Sequence, residues 1–332
     1  MARADRAIRA LAIPTPFAVG DVNAYLIEDD PLTLVDGGPN SATALAHLEG
    51  LLAGYGHRVE DIGLLVVTHQ HADHMGLTGH LAARSGAPIA ALAGLASYLE
   101  RWNEAGAADD QFAYDLMLRH GVEPRVAKAL RAVARMTRGW GAPCVVERPL
   151  ADGDELELAG GPLRVLARPG HSPSDTVFHD EERGVLIGGD HLLSRVSSNA
   201  LIARPLSLDP ETPLDGARPQ PLLAYRASLQ ATHALDVDVV LGGHGAPVTA
   251  HRTLIDERLA DQERRATQFL EVLKAGPASA HDLALSIWGE VAITQAYLTI
   301  SEVLGHLDLL LEAHLIEEHT TASGLTRFTR VG

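Results

Sequence analysis

The sequence contains very little cysteine. Cys144 is the one cysteine among 332 residues, so neither an intrachain disulfide nor a cluster of thiolate metal ligands can form. Any metal ion bound by this chain must therefore be held by nitrogen and oxygen ligands, which means histidine and carboxylate side chains.

Aromatic residues are also scarce, at 4% of the chain, although 46% of residues are hydrophobic. The core must therefore consist mainly of alanine, leucine, valine and isoleucine, and any local group of aromatics is informative. Five of the fourteen aromatic residues fall within a helical-looking stretch at about 94–143 without strand patterns: Tyr98, Trp102, Phe112, Tyr114 and Trp140. We expect this stretch to be a helical insert, which either covers a site with an apolar wall or serves only for ordinary helix packing.

Long apolar runs and an excess of positive charge are both missing. No span of 18 apolar residues occurs, and the N-terminus has no uninterrupted apolar segment typical of a secretion signal. We therefore expect a cytoplasmic protein without a membrane partner. The formal net charge of −16 opposes attraction to phosphate backbones, which makes nucleic acid an unlikely partner and favours a small-molecule substrate.

Short strand-like runs bounded by turn residues alternate with helical patterns through the first 250 residues. The segment AYLIEDDPLTLVDGG predicts a hairpin of strands 24–28 and 32–35, and Ser41 is a typical N-cap for the helix that follows. Further helices are predicted near 76–85 and 221–233. This alternation predicts an α/β layer architecture, with a large domain at 1–255 that contains the insert and a smaller one at 256–332.

The last part of the chain changes character. It predicts helices at 252–274, around 280–288 and at 293–313, and then a hairpin with Ser323-Gly324 at its tip, which together indicate a winged-helix domain. The long third helix contains no lysine or arginine, whereas a helix that reads DNA would present several. Its leucines at 304, 307, 310 and 311 instead suit burial against the main domain or a second subunit, so a homodimer is possible.

The stretch VVTHQHADHMG places three histidines and an aspartate within six positions, directly after an apolar run. A solvated surface loop and a metal site are the two interpretations. On one continuous helix His69 and Asp73 would share a face while His71 and His74 would share another, so the four side chains could not converge on one point. A loop that turns into a helix and serves two neighbouring metal ions removes this difficulty.

Two metal ions need further ligands, and three candidates follow other strand-like runs. His171 follows LRVLARPG, Asp190 follows GVLIGG, and His244 follows VDVVLGG. Each could be an ordinary turn residue if taken alone. Because all three come after glycine at the end of an apolar run, where the backbone can approach closely, the sequence favours a shared site at one edge of the sheets.

These motifs together resemble the metallo-β-lactamase superfamily, over roughly residues 10–250. The resemblance implies an αββα sandwich with two metal ions. It implies His69, His71 and His171 on one ion, Asp73, His74 and His244 on the other, and Asp190 bridging. Asp36 in LVDGG matches a further family motif, an aspartate that supports the ligand loops from behind.

The ligand order separates branches of the superfamily. A β-lactamase of the cysteine-ligand type would have cysteine in place of Asp190, whereas a bridging aspartate is typical of glyoxalase II-like thioesterases, lactonases and phosphodiesterases. The C-terminal pattern resembles the winged-helix tail of a hydrolase subgroup that includes an endoribonuclease and thioesterases acting on polyketide carriers.

Two divalent ions, by default zinc with manganese or iron as alternatives, would lower the pKa of a bridging water and supply hydroxide near neutral pH. Asp73 and Asp190 are the candidate catalytic residues, and Asp73 could accept the proton of the water. His191, beside Asp190, is a candidate outer donor or else a core histidine. We also consider Arg195, Arg204 and Tyr225 as pocket residues, because they lie near the ligand loops in sequence.

The sequence thus predicts a hydroxyacylglutathione hydrolase-like enzyme that uses a metal-bridging hydroxide to cleave an ester, thioester or lactone with an apolar portion. One alternative is a phosphodiesterase or ribonuclease that uses the same site. Another is a winged-helix binding protein with a vestigial metal site, which the full set of seven ligands argues against.

Overall fold

The computed structural model describes residues 7–207, 209–212 and 217–332. Its strands are β1 (Ala7–Ile13), β2 (Val22–Glu28), β3 (Thr33–Val35), β4 (Leu64–Val66), β5 (Ile89–Leu92), β6 (Arg148–Leu150), β7 (Glu155–Leu156), β8 (Leu163–Ala167), β9 (Thr176–Asp180), β10 (Val185–Gly189), β11 (Val239–Gly242), β12 (Ile316–Thr320) and β13 (Thr326–Arg330). Its helices are α1 (Ala42–Gly54), α2 (Ala72–Met75), α3 (Thr78–Ser85), α4 (Ala96–Glu100), α5 (Trp102–Arg119), α6 (Pro124–Thr137), α7 (Pro221–His233), α8 (His251–Val272), α9 (Ala280–Trp288), α10 (Val291–Thr294) and α11 (Ala296–Glu312).

Two mainly buried sheets form the centre of the main domain. The first has the strand order β1-β2-β3-β4-β5-β6, and the second has the order β11-β10-β9-β8-β7. Their inner faces meet in one apolar cluster that includes Val66, Phe178 and Ile187. Helices α1 and α3 cover the outer face of the first sheet, and α7 and α8 cover that of the second. The predicted αββα sandwich is confirmed.

Local sequence signals account for several of these elements. The Ser41 hydroxyl accepts a hydrogen bond from the Ala44 amide at 3.0 Å and caps α1, as predicted. Strands β2 and β3 pair antiparallel across the predicted turn. Strand β1 was not predicted; it pairs with β2 along its whole length, from Ala7 opposite Glu28 to Ile13 opposite Val22. Pairing with β2, rather than a clear alternation of apolar and polar residues in its own sequence, defines strand β1.

The predicted insert at about 94–143 is helical, with α4, α5 and α6 and no strand in that stretch. Its helices α5 and α6 share one hydrophobic cluster with the C-terminal part of the chain, in which Leu116 lies with Phe269, Leu304 and Phe328. Insert and tail therefore stabilise each other by burying a common apolar surface.

The C-terminal part has the predicted helices and terminal hairpin, but the long helix is interrupted at Gln295 between α10 and α11. The winged-helix assignment and the division into domains stay predictions, and α8 runs continuously through the predicted boundary at 255/256. The leucines at 304, 307 and 310 are buried within this chain. Within the described ranges, no helix has the length and hydropathy needed to cross a bilayer.

Candidate metal centre

The seven candidate ligands lie just beyond the ends of four strands. His69, His71, Asp73 and His74 follow β4, and His171, Asp190 and His244 follow β8, β10 and β11. Their donor atoms fall into three overlapping groups within 4.8 Å: His69, His71 and His171; His69, His74 and Asp190; and Asp73, His74 and His244. The fold therefore brings together side chains that are as far apart in the sequence as His69 and His244.

The first group consists of three imidazoles. His71 Nδ1 lies 3.1 Å from His69 Nε2 and 2.9 Å from His171 Nε2, so three nitrogens face one point. Burial, aided by the charge of neighbouring histidines, lowers the pKa of His71 to about 3 and that of His69 well below its usual value. The neutral rings keep nitrogen lone pairs available for a cation.

The other two groups combine histidines with carboxylates. His244 Nε2 lies 3.3 Å from Asp73 Oδ2, and His74 Nε2 lies 3.3 Å from Asp190 Oδ1. Burial alone would favour neutral acids, but the adjacent His74 holds the pKa of Asp73 below its usual value and that of Asp190 well below it. Both carboxylates are therefore anionic near neutral pH and are suited to binding cations.

Asp190 lies between the group of three imidazoles and the group of Asp73, His74 and His244. Its Oδ2 is 3.6 Å from His171 Nε2 and also 3.6 Å from His244 Nε2. Three buried atoms, His74 Nε2, His244 Nε2 and Asp190 Oδ1, have no partner with hydrogen-bond geometry. Leaving such atoms unsatisfied is costly, and a bound cation would satisfy them. The nitrogen and oxygen donors thus fit divalent metal ions such as zinc, manganese or iron.

Asp36 supports this centre from behind. One carboxylate oxygen lies 2.8 Å from His74 Nδ1, and the carboxylate also accepts hydrogen bonds from the Thr68 amide and hydroxyl at 2.9 and 2.8 Å. Thr68 Oγ1 in turn lies 3.0 Å from His69 Nδ1. The contacts fix the rings of His74 and His69 so that their Nε2 atoms face the centre, a common arrangement at metal sites.

Two backbone carbonyls orient His171 and His244 and had no signal in the sequence. His244 Nδ1 lies 2.7 Å from the Asp21 carbonyl, and His171 Nδ1 lies 3.0 Å from the Asn199 carbonyl. Because any residue type carries a carbonyl, only the tertiary structure could identify these partners.

Glycines allow the ligand loops to approach one another, as the sequence indicated. A Cβ on Gly243 would collide with the Asp190 carboxylate and the His74 ring. Gly189 has a φ of +47°, and a Cβ there would lie 2.9 Å from the Thr68 side chain. Close packing of the loops therefore requires glycine at both positions, because glycine has no side chain.

Not every candidate lies in the centre. His191 is buried, its Nε2 lies 2.8 Å from Thr232 Oγ1, and burial lowers its pKa to about 3. It is a core histidine, the second of the two interpretations. Tyr225 is also buried in the core, where it donates to the His191 carbonyl at 2.7 Å, so assigning it to a pocket was wrong. Arg195 is exposed.

A cavity of about 560 Å³ opens directly beside His71, Asp73 and His171. Its walls come from the insert helices α5 and α6, the segment 201–204 and the start of α11. The lining includes three aromatic side chains of the insert and one arginine that the sequence suggested as a pocket residue: Tyr98, Trp102, Phe112 and Arg204.

The C-terminal part of the chain also reaches this cavity. Tyr297 and Leu298 of α11 line it beside the insert helices. The sequence did not indicate these two residues, because only folding sets their distance from the ligand loops.

Comparisons with known proteins agree with this geometry. The family model described as Metallo-beta-lactamase superfamily matches residues 18–244. The chain is 32% identical over 309 residues to the probable metallo-hydrolase YqjP of Bacillus subtilis, covering 91% of each protein. A metallo-beta-lactamase family protein of Thermus thermophilus has a solved structure that superposes with a TM-score of 0.79 at 29% identity, covering 98% of both chains.

A more restricted similarity concerns an atrochrysone carboxyl ACP thioesterase of Aspergillus fumigatus, which is 25% identical over 128 residues, covering 39% of this chain and 26% of that protein. The family match, the whole-length relative and the shared architecture all point to one conclusion: this chain belongs to the metallo-β-lactamase superfamily and is a metallo-hydrolase with an αββα fold.

Proposed function

We propose that this protein is a dinuclear metal-dependent hydrolase that cleaves an ester, thioester or lactone of a small molecule with an apolar portion. The observation that carries the proposal is the position of the large cavity, which meets the ligand groups at His71, Asp73 and His171. A substrate in this cavity would present its reactive bond at the ligand groups.

In the proposed assignment, His69, His71 and His171 hold one cation, and Asp73, His74 and His244 hold the other. Asp190 is shared, which is supported by the equal distances from its Oδ2 to His171 and His244. Two divalent cations, when bound, polarise a carbonyl oxygen and lower the pKa of water at the site.

The protein's own groups would bind, orient and move protons. The anionic carboxylate of Asp73 is buried beside the cavity and is suited to accept the proton of an attacking water. Asp36 keeps the His74 ring in place. The aromatic side chains Trp102 and Phe112 give the cavity an apolar wall, which lowers the local dielectric and strengthens electrostatic interactions beside it.

The cavity wall supports an acyl substrate rather than a nucleic acid. Most of its lining is apolar, and α11, which reaches the cavity, contains neither lysine nor arginine. Similarity to a thioesterase over part of the chain agrees with thioesters as one substrate class. Phosphodiester cleavage by the same centre is the alternative that substrate profiling must address.

Metal analysis and substrate profiling test the proposal together. We expect two bound divalent ions per purified chain by elemental analysis, with zinc as the default, and hydrolysis of members of an ester, thioester and lactone panel in preference to phosphodiesters. Asp190→Ala should lose metal and activity. His80→Gln is the matched control, because His80 is an exposed histidine of α3, and it should retain both.

A protein that binds no metal, or a metal-loaded protein that cleaves none of these carbonyl substrates, would contradict the proposal. Cleavage of phosphodiesters alone would favour the alternative. Retention of full activity in Asp190→Ala would remove Asp190 from the assigned ligands.

A further inference from the structure

The two insert helices that line the cavity define its long axis and its two ends. Helices α5 and α6 run antiparallel. The Arg138 guanidinium, just after the end of α6, donates to the Gly106 carbonyl near the start of α5 at 2.8 Å. Met117 near the end of α5 and Leu130 earlier in α6 line the cavity away from this contact. The end of the cavity near Arg138 is the one close to the metal ligands, and we call it the ligand end. The Trp140 carbonyl, two residues after Arg138, accepts a hydrogen bond from the Asn40 amide at 2.6 Å and packs against Gly76. Gly76 directly follows α2, which carries Asp73 and His74.

Most charged side chains at the cavity have partners within the protein. Asp110 is paired with Arg138, and Asp109 accepts a hydrogen bond from the Tyr98 hydroxyl at 2.8 Å. Burial raises the pKa of Asp109, which favours its neutral form. Arg204 donates to the carbonyls of Asp209 and Thr212, each at 2.9 Å. These contacts hold the charged side chains in the wall and satisfy part of their hydrogen-bonding capacity.

Arg131 differs from these residues. Its Nε is buried without a hydrogen-bond partner, and no carboxylate of the described ranges forms an ion pair with it. Its guanidinium carbon lies 5.5 Å from the centre of the Tyr114 ring, which holds the side chain in place. A fixed guanidinium with an unsatisfied N–H is a good binding group for a carboxylate or phosphate.

Arg131 is separated from the ligand end by a distance that an extended substrate chain can span. It lies on α6 seven residues before Arg138, which directly follows the end of that helix, and two helical turns correspond to roughly 10 Å along the axis. An extended chain advances by about 1.2 Å per bond, so roughly eight bonds cover that separation. Ala134 and Ala113 give this path an apolar wall, and the carboxylate of Asp110, which also lines it, is paired with Arg138.

We propose that the substrate carries an apolar chain that ends in an anionic group, with the chain lying between α5 and α6 and the anion bound by Arg131. This inference rests on the proposed function for the identity of the bond that is cleaved. The substrate class is then a half-ester or half-thioester of a dicarboxylic acid, or an ester whose departing chain ends in phosphate. Both share the apolar chain with a terminal anion.

A binding experiment on metal-stripped protein tests Arg131 without any hydrolysis. By isothermal titration, decanoate and decyl phosphate should bind the parent at least about tenfold more tightly than decan-1-ol, as expected for charge-assisted hydrogen bonds. Arg131→Gln should remove this preference. Arg135→Gln is the matched control, because Arg135 is exposed one turn further along α6, and it should keep the preference.

The two arms separate the sources of the anion: a preference for decanoate alone favours the dicarboxylic substrate, and one for decyl phosphate alone favours the phosphate. Thermal unfolding of Arg131→Gln within a few degrees of the parent shows that the variant folds, and Arg131→Lys should restore part of the preference. Equal affinity for all probes in the parent, or an unchanged preference in Arg131→Gln, would overturn the inference.

Kinetics on metal-loaded protein complete the test. Arg131→Gln should raise KM about tenfold for the half-thioester of decanedioate and leave kcat unchanged, with no effect on a decanoyl thioester. Probe binding as expected without hydrolysis of any substrate would contradict the proposed function alone. Hydrolysis with no difference between the two thioesters in Arg131→Gln would contradict this inference alone.

Discussion

At the scale of single residues, Asp36 illustrates how a side chain outside the ligand set controls the centre. It contacts His74 and Thr68 at the same time, and its backbone has a φ of 60°. Asparagine tolerates this left-handed conformation better than most residues, so Asp36→Asn removes the charge with little change in backbone strain.

We predict that Asp36→Asn weakens binding of divalent metal by about 10- to 100-fold, because the His74 ring loses the acceptor that fixes its orientation. Competition with a metal-chelating dye would measure the affinity. Asp236→Asn, at an exposed carboxylate, should leave the affinity unchanged. Equal affinities of Asp36→Asn and the parent would show that Asp36 does not orient the ligand.

We predict that Gly243→Ala lowers metal content and activity, because the added Cβ would collide with Asp190 and His74. Elemental analysis and initial rates would measure both effects. Gly50→Ala on α1, where a Cβ meets nothing within 4 Å, should instead be neutral or stabilise by up to about 1 kcal/mol. Normal metal content in Gly243→Ala would mean that the loops can separate without loss.

At the scale of elements, a buried ion pair connects α11 to the segment before α7. Arg218 Nη1 donates to Asp308 Oδ2 at 2.7 Å, and the Asp308 side chain is fully buried. Gln220 also donates to Asp308, at 3.2 Å. Removing one charge of such a pair leaves the other buried without its partner, which costs more than the intact pair contributes.

We predict that Arg218→Met lowers the free energy of unfolding by about 3 to 5 kcal/mol, measured by urea denaturation. The double variant Arg218→Met/Asp308→Leu should recover most of this loss, since no buried charge remains. Arg164→Met, which affects an exposed pair with Glu181 at 2.9 Å, should cost less than about 1 kcal/mol. A double variant as unstable as Arg218→Met would argue against an electrostatic cause.

At the scale of the whole molecule, the insert and the tail depend on each other because they share one core. His120 lies in this contact, almost fully buried, with its ring stacked on Phe328 at 6.2 Å between centroids. Burial, aided by the charges of Arg218 and Arg119, lowers its pKa to about 3.

This lowered pKa predicts acid sensitivity. The unfolded chain binds a proton on His120 below about pH 6.5, whereas the folded chain binds it only near pH 3, so stability falls as the pH decreases through that window. The slope is at most about 1.4 kcal/mol per pH unit. His120→Phe in metal-free protein should therefore gain stability relative to the parent as the pH falls from about 6.5 to about 4.

Urea denaturation at several pH values would measure this difference, with the exposed His80→Gln as the control. A constant difference between His120→Phe and the parent over the window would contradict the lowered pKa of His120.

The homodimer stays a prediction. Because the leucines at 304, 307 and 310 are buried within the chain, they no longer support it, and sedimentation analysis would test it.

The chain itself determined the superfamily and the candidate ligands. The His69–His74 stretch, Asp36, and the glycines before His171, Asp190 and His244 are local signals, because a ligand loop needs particular residue types at fixed spacings. Helical and strand periodicities likewise predicted α1, α7 and the β2–β3 hairpin, since these elements depend on local capping and turns.

Only the tertiary structure decided which other groups touch these ligands and what surrounds the substrate. The carbonyls of Asp21 and Asn199 have no residue-type signal, β1 is defined by its partner strand, and the cavity joins Arg131 of the insert to Leu298 of the tail. These contacts connect positions distant in sequence, so they depend on how whole elements pack rather than on any local pattern.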